Sequence, residues 1–138
     1  MRWIWSNIGC VFCGFIIYFV GCMQVYLMAA ISYIRYDVLN KQKNEKSISH
    51  KQILHSVLIS LVMSLFWSLI PLFGWSYYSL EDGLVSCSVE YNEKSINVIS
   101  YNIGMFVFVF IVPFMIVIVA NFRIIFIVSY FTYVTLKC

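Results

Sequence analysis

Three long stretches contain no Asp, Glu, Lys or Arg: Trp3 to Ile34, Gln52 to Leu80 and Ser95 to Phe122. Each exceeds the ~20 residues that a helix needs to cross a hydrocarbon core about 30 Å thick. Inside a bilayer only helices and closed barrels satisfy every backbone N–H and C=O. The stretches lack the period-two alternation of a barrel strand. The pattern therefore predicts three transmembrane helices, near residues 8–34, 53–73 and 97–122, joined by polar loops over 35–52 and 74–96. The fold class expected is all-α, with multi-pass transmembrane helices. A soluble all-α core is the competing reading, and three such stretches in 138 residues weigh against it.

Punctuation within the stretches refines this. Pro71 and Gly74 stop the second helix, because proline lacks the N–H that the helix ladder needs. Trp67 and Trp75 suit the outer interface, where indole rings gather. Pro113 lies inside the third run and predicts a kink. Ser47 or Ser49 is placed to cap the second helix. The tail 124–136 is again apolar but too short to span, and Arg123 separates it from the third helix. It is read as an interfacial segment or as non-native coding sequence joined to the end.

Composition agrees with the pattern: 62% of residues are hydrophobic and 11% charged, against roughly 25% charged in a soluble domain. The net charge of +3 matters less than its distribution. Loop 35–52 carries Arg35, Lys41, Lys43, Lys46 and Lys51 against Asp37 and Glu45. Loop 74–96 carries Glu81, Asp82, Glu90 and Glu93 against Lys94. Short basic loops stay cytoplasmic, so 35–52 is expected inside, with 74–96 and the N-terminus outside. The apolar run after Met1-Arg2 is too long for a signal peptide. A retained first span with an outside N-terminus suggests that helices precede it. The membrane lipid is thus a partner, and nothing in the charge pattern points to nucleic acid.

Two of the five cysteines, Cys10 and Cys87, fall on the outer side, where disulfides persist. Cys13 and Cys22 lie deeper and read as small buried hydrophobes. Cys10 and Cys13 form one isolated C-x-x-C, without the second pair that a structural zinc site needs. There is no metal cluster, nucleophile–base pair or phosphate-binding loop, so no enzyme is implied.

With these elements placed, residues 2–122 resemble the animal opsins, a branch of the rhodopsin-like (class A) G-protein-coupled receptors. Gly9-Cys10, Gly14-Phe15 and Arg35-Tyr36 follow the family's third helix, and Pro71-Leu72-Phe73-Gly74-Trp75-Ser76 resembles its fourth-helix exit. Glu81 and then Ser86-Cys87-Ser88-Val89-Glu90-Tyr91 resemble its second extracellular loop, and Pro113 falls at the proline of the fifth helix. The chain, residues 1–138, then reads as a partial seven-helix receptor bundle covering helices three to five.

The resemblance implies a Cys10–Cys87 disulfide that staples the outer loop to the first span. It implies Glu81 as counterion to a protonated Schiff base, which needs a nearby anion to keep its proton. The alternative for Glu81 is a solvated loop acid beside Asp82. By match, Gly14, Gly21, Tyr78, Met105, Phe106 and Phe110 would line a retinal pocket, although plain helix packing also explains apolar and aromatic residues there. Arg35 and Tyr36 would face a heterotrimeric G protein.

The sequence departs from the family in several places. Ile34 stands where an acid normally pairs with the arginine, which predicts a leaky or non-coupling receptor. Cys13 occupies the site of the vertebrate visual counterion, Leu61 replaces a common tryptophan, and Asn121 replaces a tyrosine. None of the lysines falls at mid-membrane, so retinal would attach elsewhere in a full-length parent. The function expected is an opsin-type photoreceptor of the plasma membrane, present as a fragment. The alternatives are a rhodopsin-like receptor for another ligand and a three-pass assembly partner without receptor activity. A transporter or channel component ranks lower, because the spans offer few polar groups.

Overall fold

The computed structural model describes residues 7–43, 50–80 and 87–137. The first helix, α1, runs Asn7–Lys43. The second, α2, runs His50–Leu69 and tightens into a 3₁₀ turn over Ile70–Phe73. A short antiparallel hairpin follows, β1 (Tyr78–Leu80) against β2 (Cys87–Val89), with Tyr78 opposite Val89 and Leu80 opposite Cys87. Last comes one continuous helical rod: α3 (Ile96–Met105), a π-helical segment over Phe106–Ile111, and α4 (Val112–Lys137). Three segments, Ile8–Lys41, His50–Phe73 and Ile96–Lys137, are long and apolar enough to cross a membrane. This is a multi-pass membrane protein.

The expected helices are present but longer. α1 continues past residue 34 to Lys43, because Tyr36 to Lys43 holds neither Gly nor Pro. Asp37 and Lys41 also pair at 2.8 Å across one turn, the i,i+4 spacing that supports a helix surface. Of the expected loop 35–52, residues 35–43 and 50–52 are therefore helical, and Ser47 and Ser49, the expected caps, lie outside the described residues. The tail 124–136 is not a separate element, because α4 passes through Arg123 without a break. Arginine is a good helix former and gives no reason to stop.

Each helix break has a local cause. Pro71 sits in the first turn of the 3₁₀ segment, and Gly74 ends that segment in the left-handed region at φ 97°. Ser76 also takes a positive φ, 84°, and the chain turns back into β1. Ser95 caps α3 by accepting from the Val98 N–H at 3.4 Å. Pro113 cannot donate to the preceding turn. The rod widens there, and the Val112 N–H reaches Val107 O five residues back. The expected kink is thus a π-type segment, a recognised cause of helix bending.

α1 is the central post and packs against both α2 and the final rod. α2 meets it with a stripe of serines at every fourth position: Ser60, Ser64 and Ser68 are buried. Their hydroxyls donate to their own helix, Ser60 to Ser56 O at 2.9 Å and Ser64 to Leu61 O at 2.9 Å. Small residues of this kind let membrane helices approach closely. Beneath the hairpin Cys22, Trp67, Tyr78, Val89, Tyr101 and Val109 form the core.

Candidate functional site

At the hairpin end of the bundle four of the sequence-predicted residues meet: Cys10, Cys87, Gly14 and Tyr78. Cys10, in the first turn of α1, is disulfide-bonded to Cys87, the first residue of β2, with their Cα atoms 5.5 Å apart. This pins the hairpin across the top of α1. Four residues on, Gly14 faces the hairpin so closely that a Cβ there would lie 3.0 Å from the Tyr78 ring and 3.2 Å from Cys87 O. Tyr78 is buried beneath β1, edge-on to Tyr18 at 6.4 Å, and donates to Ser68 O at 2.8 Å. Gly14 and Tyr78 therefore form the joint between post and lid.

Beside that joint, Tyr101 repairs a broken helix. Pro71 has no N–H to give Trp67 O, four residues before it. The Tyr101 hydroxyl donates there instead at 2.7 Å and lies 3.1 Å from the Tyr18 hydroxyl. Trp67 packs against Phe108 at 5.8 Å and lies over Gly104. The tyrosine pair and the serine stripe were not singled out from the sequence. The i,i+4 repeat Ser56-Ser60-Ser64-Ser68 was the signal available for the second.

Beyond the hairpin, Glu90 ties the lid to the rod. Its N–H donates to Tyr77 O at 2.9 Å, and its carbonyl accepts from Asn102 Nδ2 at 3.2 Å. Its carboxylate accepts from the Ser79 hydroxyl and the Asn92 N–H. Those bonds, that of Ser79 foremost, hold its pKa below the ordinary carboxylate value. Tyr77 donates to Glu93 at 2.6 Å, which pushes the phenol up to about 12. Trp75 Nε1 donates to the Ser100 hydroxyl at 2.9 Å. Glu81, the counterion candidate, lies outside the described residues, in the connection between Leu80 and Cys87.

The other pocket candidates separate into two groups. Met105 packs against the core. Gly21, Phe106 and Phe110 are exposed, with nothing within 4 Å of a Cβ at Gly21 and the rings of Phe106 and Phe110 stacked 5.4 Å apart. Phe110 lines a groove of about 540 Å³ that also holds Val25, Met28, Pro113 and, at its inner end, Arg35. This open apolar face fits one wall for a polyene such as retinal. The described lysine side chains, on Lys41, Lys51, Lys94 and Lys137, sit at or beyond helix ends, away from that wall.

Toward the end of α1 away from the hairpin, Arg35 is exposed and makes no ion pair among the described residues. Asp37, the nearest acid in sequence, is taken by Lys41. Among the described residues no group of three or more His, Cys, Asp or Glu could hold a metal ion.

The profile described as "7 transmembrane receptor (rhodopsin family)" matches residues 1–130. "Rhodopsin, G0-coupled" of Mizuhopecten yessoensis is 34% identical over 117 residues, covering 85% of this chain and 29% of that protein. "Melanopsin-A" of Danio rerio is 37% identical over 125 residues, covering 88% of this chain and 21% of that protein. The crystal structure of squid rhodopsin superposes with a TM-score of 0.87 at 32% identity, over 94% of this chain and 37% of the squid chain. The chain thus spans less than a third of the length of these curated relatives.

Proposed function

The chain belongs to the rhodopsin family of seven-transmembrane receptors, and on that premise we propose that it carries the third, fourth and fifth helices of an opsin-type photoreceptor of the plasma membrane. The observation that carries the reading is the disulfide-pinned hairpin closing over Gly14 and Tyr78 at the outer end of the bundle. A cofactor held in the membrane needs a lid that excludes water, and this lid is fixed covalently at one end and by Glu90 at the other. The opsin relatives and the squid rhodopsin superposition support retinal as the chromophore.

In the parent, bound retinal supplies light-driven isomerisation. This chain supplies the surroundings. Gly21, Phe106 and Phe110 form the apolar wall with Met105 packed behind it against the core, Gly14 and Tyr78 position the lid, and Glu81, between Leu80 and Cys87 in the sequence, is the acid available as counterion. Arg35 and Tyr36 stand at the inner end of α1, on the basic side, where a heterotrimeric G protein would dock. The printed name of the Mizuhopecten yessoensis relative, "G0-coupled", supports that partner class.

The test begins with the transcript on either side of this reading frame. The expected continuation holds further apolar spans, the last with a lysine at mid-depth. The complete product, expressed with retinal, should show a visible absorption band that light alters, together with light-dependent nucleotide exchange on a G protein. No band, with exchange driven by another ligand, would identify a receptor of a different kind. Labelling of single cysteines from each side of the membrane should place residues 35–52 inside and 74–96 outside.

A further inference from the structure

The two sides of the α1–α4 seam differ in chemistry. One side is the groove of Val25, Met28 and Arg35 described above. The opposite side continues the buried stripe of α1, in which Cys22, Tyr26 and Ala29 face the core or the rod. Continuing at the same spacing, Tyr33 and Tyr36 enter a second groove of about 470 Å³, with Met115, Ile116, Val119 and Arg123 across from them.

Three observations point to an occupant. First, Arg123 makes no ion pair among the described residues, and neither it nor the hydroxyls of Tyr33 and Tyr36 make a hydrogen bond there. One cation and two phenols thus line the same groove with no partner among the described residues. Second, with Ser95 placed at the outer membrane boundary, Arg123 falls at headgroup depth. It follows the cap Ser95 by 28 residues, about 42 Å at 1.5 Å per residue. That length matches the roughly 40–45 Å of a bilayer with its headgroups. Third, the groove runs outward from Arg123 along Val119, Ile116 and Met115, an apolar track parallel to the membrane normal. A free anion would use only the polar end, whereas a lipid uses both.

We propose that this groove binds an anionic phospholipid of the inner leaflet. Arg123 pairs with the phosphate, the Tyr33 and Tyr36 hydroxyls donate to its oxygens, and an acyl chain lies against Met115, Ile116 and Val119. Charge-assisted bonds to phosphate are the strong ones, and the basic inner end of the chain places the site in the leaflet that carries anionic lipid. The inference requires only that the chain spans the membrane and does not depend on retinal.

The test is native mass spectrometry of the full chain in detergent, titrated with phosphatidylglycerol or phosphatidylcholine of the same acyl composition. Phosphatidylglycerol should occupy one site at lower concentration. Arg123→Gln should weaken it about fivefold, as expected for one interfacial cation. Arg123→Lys should retain part of the binding, and the Tyr33→Phe, Tyr36→Phe pair should weaken it with the cation intact. Lys137→Gln, which removes a cation outside the groove, should change nothing. An oxidised Cys10–Cys87 bridge, checked by mass, reports that each variant has folded. Equal occupancy by the two lipids, an unchanged Arg123→Gln, or displacement of lipid by inorganic phosphate would each overturn the proposal.

Discussion

At the scale of single residues, the outer site depends on what is missing from Gly14 and on what surrounds Glu90. A methyl group at position 14 meets a buried ring at 3.0 Å and a backbone carbonyl at 3.2 Å, and β2, which carries the carbonyl, is anchored by the disulfide. Gly14→Ala should therefore destabilise the lid by about 1–3 kcal/mol, the usual cost of overpacking. The check is the fraction of chain that forms the Cys10–Cys87 bridge under a fixed redox buffer. Glu90 gives the lid a pH dependence of known sign. Its folded pKa lies below the unfolded value, so its contribution is complete above about pH 4.3 and is lost as pH falls through the lower, folded value. Protection factors of the hairpin amides, corrected for the intrinsic pH dependence of exchange, should fall only as pH drops below about 4.3, and Glu90→Gln should flatten that response. At the inner end, Arg35 lacks the acid that would restrain it, because position 34 is isoleucine and Asp37 pairs with Lys41. Introducing Ile34→Glu into the complete receptor should lower basal nucleotide exchange, by roughly threefold to tenfold for a pairing worth about 1 kcal/mol at the surface.

At the scale of elements, α2 depends on its serine stripe. Ser64 is fully buried against its neighbours, and its hydroxyl is satisfied within its own helix, so the position contributes closeness rather than a bond between helices. Ser64→Leu should push α2 off α1 at a cost of about 1–3 kcal/mol, read as a fall in thermal unfolding temperature in detergent. Ser56→Leu, at a half-buried position, should do less. The existence and type of the helices were legible in the sequence, because charge-free length is a strong signal. Their ends were not. The continuation of α1 rests on the Asp37–Lys41 pair, and that of α4 on the neutrality of arginine toward helix, both weaker than hydropathy. The hairpin was missed because three-residue strands carry no periodicity, and its register comes from the disulfide at Cys87 and the Glu90–Tyr77 bond. Of the site, the outer staple was legible through resemblance. The separation of Gly14 and Tyr78 from Gly21, Phe106 and Phe110 was not, because it depends on the rotation of each helix about its axis, which apolar residues on all sides do not reveal.

At the scale of the whole molecule, the three spanning segments form a wedge with α1 at its back. Its open face carries large apolar side chains such as Phe106, Phe110 and Phe114, which suits contact with lipid or with further helices of the family bundle. The wedge also has an order of construction. Pro71 leaves the carbonyl of Trp67 without its helical donor, and the replacement comes from Tyr101, thirty-four residues later in the chain. Until that tyrosine emerges from the ribosome, the outer end of α2 keeps a carbonyl that only water can satisfy, and an unsatisfied carbonyl in hydrocarbon costs several kcal/mol. The second span should thus linger in the translocation channel and leave together with the third. Nascent chains stalled while Tyr101 is still inside the ribosomal exit tunnel should remain cross-linked to the channel, chains in which it has emerged should be released, and Tyr101→Phe should delay that release. The hydroxyl that completes the folded bundle then also times its delivery into the membrane.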